Sequence, residues 1–318
     1  MLKRVDTISS TNLPVDEVLN IKRCRYENRI DKGKLKRLSI VTGTHGDELE
    51  GQYVVYMVSK RLEEHPEYLN GILDIYPATN PLGIDCIERG IPSFDMDMNR
   101  VFPGNSHGTM VDIVARDIIE SLEGSDLVLD IHASNIFLKE IPQARINVNM
   151  GEKLLPIAEK LNLDFLWVHP NATVLESTLC YSLNARNTPC VVIESGIGMR
   201  ITEEYCVQLT DGIFNVMKEM GMWLGDNVFQ GKEHKPLVTS EDREVFFLNA
   251  EASGIFVPVA AHSSIMKEGE TIGNIVDPLT GSVKSTVKSP CNGLLFTIRE
   301  YPVVYEGSLI ARLLGGVE

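Results

Sequence analysis

The strongest constraint on the fold is an alternation between short apolar runs and longer amphipathic ones across residues 38 to 220. The short runs predict strands over Leu38–Val41, Ile72–Tyr76, Leu127–Ile131, Phe165–Val168 and Pro189–Ile193. Apolar residues at helical spacing predict helices over Leu49–Leu62, Gly108–Leu122, Leu154–Leu161 and Glu203–Met220. This alternation predicts an α/β fold, with a mostly parallel or mixed sheet flanked by helices on both faces. In such folds, functional groups collect at the carboxyl ends of the strands.

A change of composition after Trp223 predicts a second domain. Residues 225–244 are polar and predict a connector between a first domain over 1–224 and a β-rich domain over 245–318. In the latter, short β-rich runs are separated by Gly and Pro, which predicts a small all-β fold. Its spacing is similar to that of a biotinyl/lipoyl-type sandwich. Lys284 lies near the DPLTGS turn but lacks the flanking motif of a modified lysine, which disfavours a carrier function.

Composition disfavours several classes of partner. The 318 residues carry a net charge of −14 and no dense run of Lys or Arg, so we expect no nucleic acid and no anionic membrane as partner. The amino-terminal stretch lacks the apolar core of a signal peptide, and no run of about 18 apolar residues predicts a membrane span. Six cysteines without CxxC spacing favour a reducing cytoplasm over a disulfide framework.

Side chains that can bind a metal follow two of the predicted strands. His45 and Glu48 come just after Leu38–Val41, three residues apart at the start of a helix, and His132 ends the run Leu127–Ile131. Catalytic zinc takes three such N and O ligands and keeps one position for water. Taken alone, His45 and Glu48 can equally be solvated residues at a helix start. A single histidine at a strand end is more often a structural hydrogen-bonding group.

Two carboxylates accompany these residues. Glu194 follows the apolar run that ends at Ile193, where it can act as a general base on metal-bound water, cap a loop or pair with an arginine. Asp130 lies two residues before His132 on the same strand face, where it can orient the imidazole. Three metal-binding side chains and a base just past strand ends of one α/β domain rarely coincide by chance. The combination therefore predicts a metal-dependent hydrolase.

Four segments carry a resemblance to a known family: GTHGDELEG, DMNRVFPG, DLVLDIHAS and VVIESG. They resemble the motifs of the succinylglutamate desuccinylase/aspartoacylase family, relatives of the zinc carboxypeptidases. The resemblance covers roughly residues 36 to 224, and the β-rich domain is similar to the small carboxyl-terminal domain of bacterial members. It implies a zinc carboxypeptidase-like fold and one Zn²⁺ per chain, held by His45, Glu48 and His132. It also implies that Glu194 is the general base.

The same resemblance implies further functional residues. Asn99 and Arg100 would bind the substrate, although without the family they are equally a turn-forming Asn and a surface Arg. Arg89 would polarise the scissile carbonyl group. Arg186 is the nearest arginine upstream of the base, where aspartoacylases bind the substrate carboxylate. Tyr305 is the candidate for the carboxyl-terminal tyrosine that frames their pocket, and the alternative is a core tyrosine of the β-rich domain.

The predicted function is that of a zinc-dependent amidohydrolase, a deacylase that acts on a small N-acyl amino acid or a related N-acylated compound. A carboxypeptidase-like peptidase and an esterase are alternatives with the same metal site. A non-catalytic binding protein that retains the fold is a third, but it has no chemical need for the metal-binding side chains and the base together. The expected partner is a small-molecule substrate, and a homo-oligomer is left open.

Overall fold

The computed structural model describes residues 1–170, 175–226, 237–241 and 243–317. Its α-helices are α1 (Glu50–Glu64), α2 (Pro81–Cys86), α3 (Met110–Leu122), α4 (Gly151–Ala158), α5 (Leu179–Ala185) and α6 (Glu203–Glu219). Its first strands are β1 (Leu2–Asn12), β2 (Val18–Asn28), β3 (Arg37–Val41), β4 (Gly71–Tyr76), β5 (Leu127–His132), β6 (Leu138–Asn147), β7 (Phe165–His169) and β8 (Cys190–Gly196). The later strands are β9 (Val238–Thr239), β10 (Val245–Asn249), β11 (Gly254–Pro258), β12 (Ile265–Met266), β13 (Thr271–Asp277), β14 (Ser282–Lys288), β15 (Gly293–Arg299), β16 (Val303–Val304) and β17 (Leu309–Gly315).

A long mixed sheet runs through most of the described chain. Its strand order is β1-β2-β4-β3-β5-β8-β6-β15-β17-β10, with β7, β9 and β12 paired beside this path. The central strands β4, β3, β5 and β8 are parallel. On either side, β2 and β6 pair with them in antiparallel orientation. The predicted α/β class is confirmed, and of the two predicted kinds of sheet, mostly parallel or mixed, it is mixed because these flanking strands run in the opposite direction.

Helices cover both faces of the parallel centre. Helices α1, α4 and α6 pack on one face, with core residues such as Val54, Leu154 and Phe214. Helices α3 and α5 pack on the other face, with Ile118 and Leu183. Because β3, β5 and β8 contribute side chains to both cores, apolar residues predominate on both faces of these strands. Polar functional groups therefore become accessible where these strands end.

The region after residue 244 is all-β and forms two packed sheets. Strands β14, β13, β11 and β16 form a separate sheet, while β10, β12, β15 and β17 extend the long one. Side chains from both sheets, including Phe256, Ile275, Leu295 and Leu313, share one core. Because β15 pairs with β6, this region continues the sheet of the amino-terminal part without interruption.

The stretch predicted as a connector contains a short strand, since β9 pairs in parallel with β7. Residues 227–236 and 242 of that stretch, His234 included, lie outside the described residues. No helix in the part of the chain that the structure describes is long and apolar enough to cross a membrane.

Candidate functional site

The candidate site lies at the carboxyl edge of the parallel strands. After β3 the chain turns through Gly43, whose φ of 64° is a conformation that glycine adopts without strain. His45 and Glu48 follow in the turn before α1. His132 is the last residue of β5, and it is paired in register with Glu194 of the neighbouring β8. Adjacent strand ends thus bring together residues that are far apart in the sequence.

His45, Glu48 and His132 form a buried cluster whose ligand atoms all lie within 4.8 Å of one another. The Nδ1 atoms of the two imidazoles are 3.2 Å apart. Glu48 places Oε1 2.7 Å from Nδ1 of His45 and Oε2 2.9 Å from Nδ1 of His132. The side chains that the sequence singled out as metal ligands therefore face a common point.

The donor set fits a zinc ion. Two imidazole nitrogens and a carboxylate oxygen are ligands that catalytic zinc takes. Two nitrogen ligands of a tetrahedral zinc ion are about 3.3 Å apart, given Zn–N distances of about 2.05 Å. The 3.2 Å between the two Nδ1 atoms is close to this separation. All three residues also line one cavity, from which an ion held by them would be reached.

A carboxylate lies behind each imidazole. Asp97 places Oδ1 3.0 Å from Nε2 of His45. Asp130 places Oδ1 3.2 Å from Nε2 of His132, although the angle there is too poor for a hydrogen bond. A carboxylate at the outer nitrogen holds the imidazole in the tautomer whose Nδ1 is free to bind a metal. Sequence reasoning found Asp130 but missed the role of Asp97, which it took only as part of the DMNR segment.

The cluster is rich in negative charge. Burial alone would raise the pKa of Glu48, but the two imidazoles lower it to about 2. Burial alone would lower the pKa of both imidazoles. Glu48 and Asp97 nevertheless raise the pKa of His45, and Asp130 and Glu48 raise the pKa of His132 well above its ordinary value. Carboxylates that stabilise a proton on both imidazoles stabilise a metal cation at the same point.

Arg89, Asn99 and Arg100 line the same cavity. Arg89 donates from Nη1 to Oε1 of Glu48 at 2.8 Å. The side-chain oxygen of Asn99 accepts a hydrogen bond at 2.9 Å from the first backbone N–H of α5. Arg100 donates from Nη1 to the backbone oxygen of Asn99 at 2.7 Å. These contacts fix Asn99 and Arg100 at the cavity wall and leave other N–H groups of both for a ligand.

Glu194 also lines the cavity, with its side chain 15% exposed. Its Oε1 lies 3.1 Å from Nη1 of Arg145, which belongs to the adjacent strand β6. Burial raises the pKa of Glu194 above its ordinary value, and the charge of Arg145 limits the rise. A carboxylate with a raised pKa is suited to take up and return a proton near neutral pH.

Arg186 and Tyr305 do not line the cavity. Arg186 follows the end of α5, where its Nε lies 3.0 Å from Oε1 of Glu123 and its Nη1 donates to the backbone of Ser182. Tyr305 lies in the turn between β16 and β17 and is 73% exposed, so it belongs neither to the cavity nor to a core. The structure supports a substrate-binding role for neither residue. Although Arg186 is close to Glu194 in the sequence, its contacts are with Glu123 and Ser182 and not with the cavity.

The cavity has a volume of about 720 Å³, which suits a compact small molecule. Its wall includes Arg145 and Arg312, which the sequence did not single out. Arg312 belongs to β17, so the all-β region contributes directly to the cavity.

Known proteins are similar to this chain over nearly its whole length. The N-alpha-acetyl-L-2,4-diaminobutyric acid deacetylase of Halomonas elongata is 24% identical over 297 residues, which are 91% of this chain and 85% of that protein. A succinylglutamate desuccinylase/aspartoacylase structure from Rhodobacter sphaeroides superposes with a TM-score of 0.81 at 21% identity, over 99% of this chain and 96% of the other. The product-bound ectoine utilization protein of Ruegeria pomeroyi gives a TM-score of 0.79 at 18% identity, over 96% and 93%.

The family profile decides the assignment. The succinylglutamate desuccinylase/aspartoacylase catalytic domain matches residues 34–220, more than half of the chain. That range contains His45, Glu48 and His132, together with Glu194 and the DMNR segment. The chain therefore belongs to the succinylglutamate desuccinylase/aspartoacylase family.

Proposed function

We propose that the protein is a zinc-dependent deacylase that hydrolyses the amide bond of a small N-acyl amino acid or a related N-acylated compound. The observation that carries this proposal is the convergence of a three-residue metal cluster, a carboxylate and arginines on one cavity. Family members are deacylating hydrolases that act on small molecules, which supports the class of reaction.

His45, Glu48 and His132 would hold the zinc ion. Zinc bound there would act as a Lewis acid that activates water and polarises the acyl carbonyl group. Glu194, at the neighbouring strand end, accepts a proton from the attacking water and passes it to the leaving amine. Arg89, which donates a hydrogen bond to Glu48, would stabilise the negative charge that develops on the acyl oxygen.

Asn99 and Arg100 would bind the carboxylate of the substrate. Among the described residues, no carboxylate forms an ion pair with Arg100, whose Nη1 donates to a backbone oxygen instead. A guanidinium group with free N–H groups at a cavity wall can bind a carboxylate through two parallel hydrogen bonds. The Asn99 side chain, fixed through its oxygen, presents its NH₂ group as a further donor.

The volume of the cavity, about 720 Å³, supports a compact substrate in preference to a peptide, and Arg312 of the all-β region forms part of its wall. The Halomonas relative is named for the removal of an acetyl group from an N-acetylated amino acid, which supports an N-acetyl or other short N-acyl amino acid as the substrate here. We also propose a cytoplasmic location, because all six cysteines are free thiols.

Elemental analysis and an activity assay test the proposal. We expect one zinc ion per chain in the purified protein, and loss of stoichiometric zinc in His45→Ala and His132→Ala. His65 has a half-exposed side chain and follows α1 at the opposite end of the helix from Glu48, so His65→Ala is the matched control and should keep its zinc. Full zinc occupancy in the two cluster variants would exclude this metal site.

A panel of N-acyl amino acids, with peptide and ester analogues, separates a deacylase from the alternatives. We expect hydrolysis of at least one N-acyl amino acid in preference to the peptides. Glu194→Gln keeps the size of the side chain and should keep zinc, while kcat falls by about 10²–10⁴-fold, the usual contribution of a positioned acid–base group. Zinc binding without turnover of any panel member would instead indicate a binding protein.

A further inference from the structure

A chain of partly buried ion pairs connects the all-β region to Glu194. Arg312 of β17 places Nη1 2.7 Å from Oε1 of Glu140 on β6. The same oxygen lies 3.3 Å from Nη2 of Arg145, and Nη1 of Arg145 lies 3.1 Å from Oε1 of Glu194. The guanidinium group of Arg145 thus lies between two carboxylates. We call the residues Arg312, Glu140 and Arg145 the arginine network.

The centre of this network is fixed on every side. Glu140 is 1% exposed, and its second oxygen accepts hydrogen bonds from Gln143 at 2.7 Å and Thr297 at 2.5 Å. Thr297 belongs to β15, the strand that joins the all-β region to β6. A carboxylate with this many donors cannot rotate without leaving buried donors unpaired, which is costly.

The two arginines are fixed by a shared aromatic ring as well as by charge. The guanidinium carbon of Arg145 lies 5.4 Å from the centre of the Trp167 ring, and that of Arg312 lies 5.5 Å from it. Both distances allow a cation–π interaction. The Nε atoms of both arginines are buried without a hydrogen-bond partner among the described residues. Because buried donors without a partner cost free energy, the position of the two guanidinium groups destabilises the fold locally.

Glu194 has no comparable set of contacts. Of the charged groups in the described residues, Arg145 is the one that forms an ion pair with its carboxylate. A flexible glutamate at a cavity wall needs such a contact to remain in one orientation.

We infer that Arg145 and Arg312, linked through Glu140, are positioning residues that hold the Glu194 carboxylate in the orientation needed to take the proton from water. This inference rests on the proposed function of Glu194. Its consequence is that the all-β region takes part in catalysis through Arg312, in addition to forming part of the cavity wall. The arginines act through Glu194 and do not exchange protons themselves.

Steady-state kinetics test the inference, with the zinc-loaded enzyme and the N-acyl amino acid of the panel that has the highest kcat/KM. We expect Arg145→Met to lower kcat by about 10–100-fold with KM changed by less than about threefold, since misplacing a catalytic group by about 1 Å has such an effect. Arg312→Met is one ion pair further away, so we expect a loss of about 3–10-fold. Arg145→Lys keeps the charge and should recover part of kcat.

Arg61→Met is the matched control for the loss of a buried ion pair. Arg61 pairs with Asp211 at 2.7 Å and lies 4.6 Å from the centre of the Phe214 ring, but it is on α1 and outside the cavity. We expect this variant to have a lowered Tm like Arg145→Met, while its kcat stays that of the wild type. A similar loss of kcat in Arg61→Met would mean that the effect of Arg145→Met is general destabilisation, which would overturn the inference.

A double-mutant cycle distinguishes positioning of Glu194 from a separate role of Arg145. In a Glu194→Gln background, Arg145→Met should cause no further loss of kcat, because the group through which it acts is already disabled. A further loss as large as in the wild-type background, or a loss confined to KM, would overturn the inference.

Crystal structures of the wild type and of Arg145→Met provide a readout that does not depend on turnover. We expect the Glu194 carboxylate to move in the variant, and an unmoved carboxylate would overturn the inference. Failure of the proposed function has a different signature: the wild type would lack zinc or hydrolyse no member of the panel, while the displacement of Glu194 in the variant could still be observed.

Discussion

Asp97→Asn is the variant that most directly tests how the metal cluster is built. Asp97 Oδ1 lies 3.0 Å from Nε2 of His45 and also accepts the backbone N–H of Asn99 at 2.8 Å. Asparagine keeps an oxygen for the Asn99 N–H but loses the negative charge behind the imidazole. We therefore expect the local turn to survive and the zinc affinity to fall by about 10–100-fold, the usual effect of losing such a partner. This range corresponds to about 1.4–2.8 kcal/mol of binding free energy.

Asp130→Asn gives an internal comparison at the second imidazole. Its Oδ1 is 3.2 Å from Nε2 of His132, but the contact lacks the direction of a hydrogen bond. Asp130 should therefore stabilise its imidazole less than a hydrogen-bonded carboxylate does. We expect Asp130→Asn to lower the zinc affinity by about 10-fold, the lower end of the range given for Asp97→Asn. Asp126→Asn is the control. Asp126 lies just before β5, at the opposite end of the strand from His132, and it pairs with Lys36.

Competition with a chelator of known zinc affinity, starting from metal-free protein, measures these changes. The expected order of zinc affinity is wild type and Asp126→Asn first, then Asp130→Asn, then Asp97→Asn. If both Asp97→Asn and Asp130→Asn bound zinc within about twofold of the wild type, the carboxylates would not support the imidazoles in the way that partners of metal-binding histidines do. The assignment of Nδ1 as the metal-binding atom of each histidine would then be wrong.

Three further predictions concern stability and the all-β region. Gly196→Ala should lower the free energy of unfolding by at least about 1–2 kcal/mol and so lower the Tm. The φ of Gly196 is 74°, and the new Cβ would lie 1.8 Å from Oε1 of Glu50. Asp74→Asn should cost about 3–5 kcal/mol in urea unfolding, since this buried carboxylate accepts two hydrogen bonds of 2.6 Å from Arg25. Intact-mass measurement should find no biotinyl or lipoyl adduct on the purified protein.

Each of these predictions has a control or an excluding result. Gly281 has a φ of 69° and nothing within 4 Å of a new Cβ, so Gly281→Ala carries only the backbone cost and should be the milder variant. Equal losses in the two glycine variants would rule out the contact with Glu50. Asp6→Asn breaks a partly exposed pair with Arg23 and should cost less than about 1 kcal/mol. Any prosthetic adduct would mean that the all-β region is a carrier.

The central elements and the metal cluster were predictable because both depend on local patterns. Runs such as Leu127–Ile131 are mostly apolar since their strands are buried on both faces, and Asp130 is the one polar residue in this run. His45, Glu48 and His132 follow such runs directly, and parallel strands end at one edge of a sheet. These three residues therefore lie close together once their strands are neighbours in a parallel sheet.

Other features depended on strand pairing that no local pattern specifies. Strand β6 was not predicted, and it carries Glu140 and Arg145. Its antiparallel pairing with β8 places Arg145 beside Glu194, whereas the predicted Arg186, only a few residues from Glu194, faces Glu123. The resemblance implied an arginine upstream of the base that binds the substrate carboxylate, whereas the arginine that the fold places beside Glu194 is Arg145.

The longest-range contacts belong entirely to the tertiary structure. Arg312 and Glu140 are separated by 172 residues, and they meet because β15 continues the sheet from β6 and β17 follows beside it. Sequence spacing determines which face or end of an element a side chain occupies, since that depends on a backbone repeat of a few residues. Which partner it meets depends on how the strands order and pair across the whole chain, and that arrangement alone decided that the cavity wall contains Arg312 and not Tyr305.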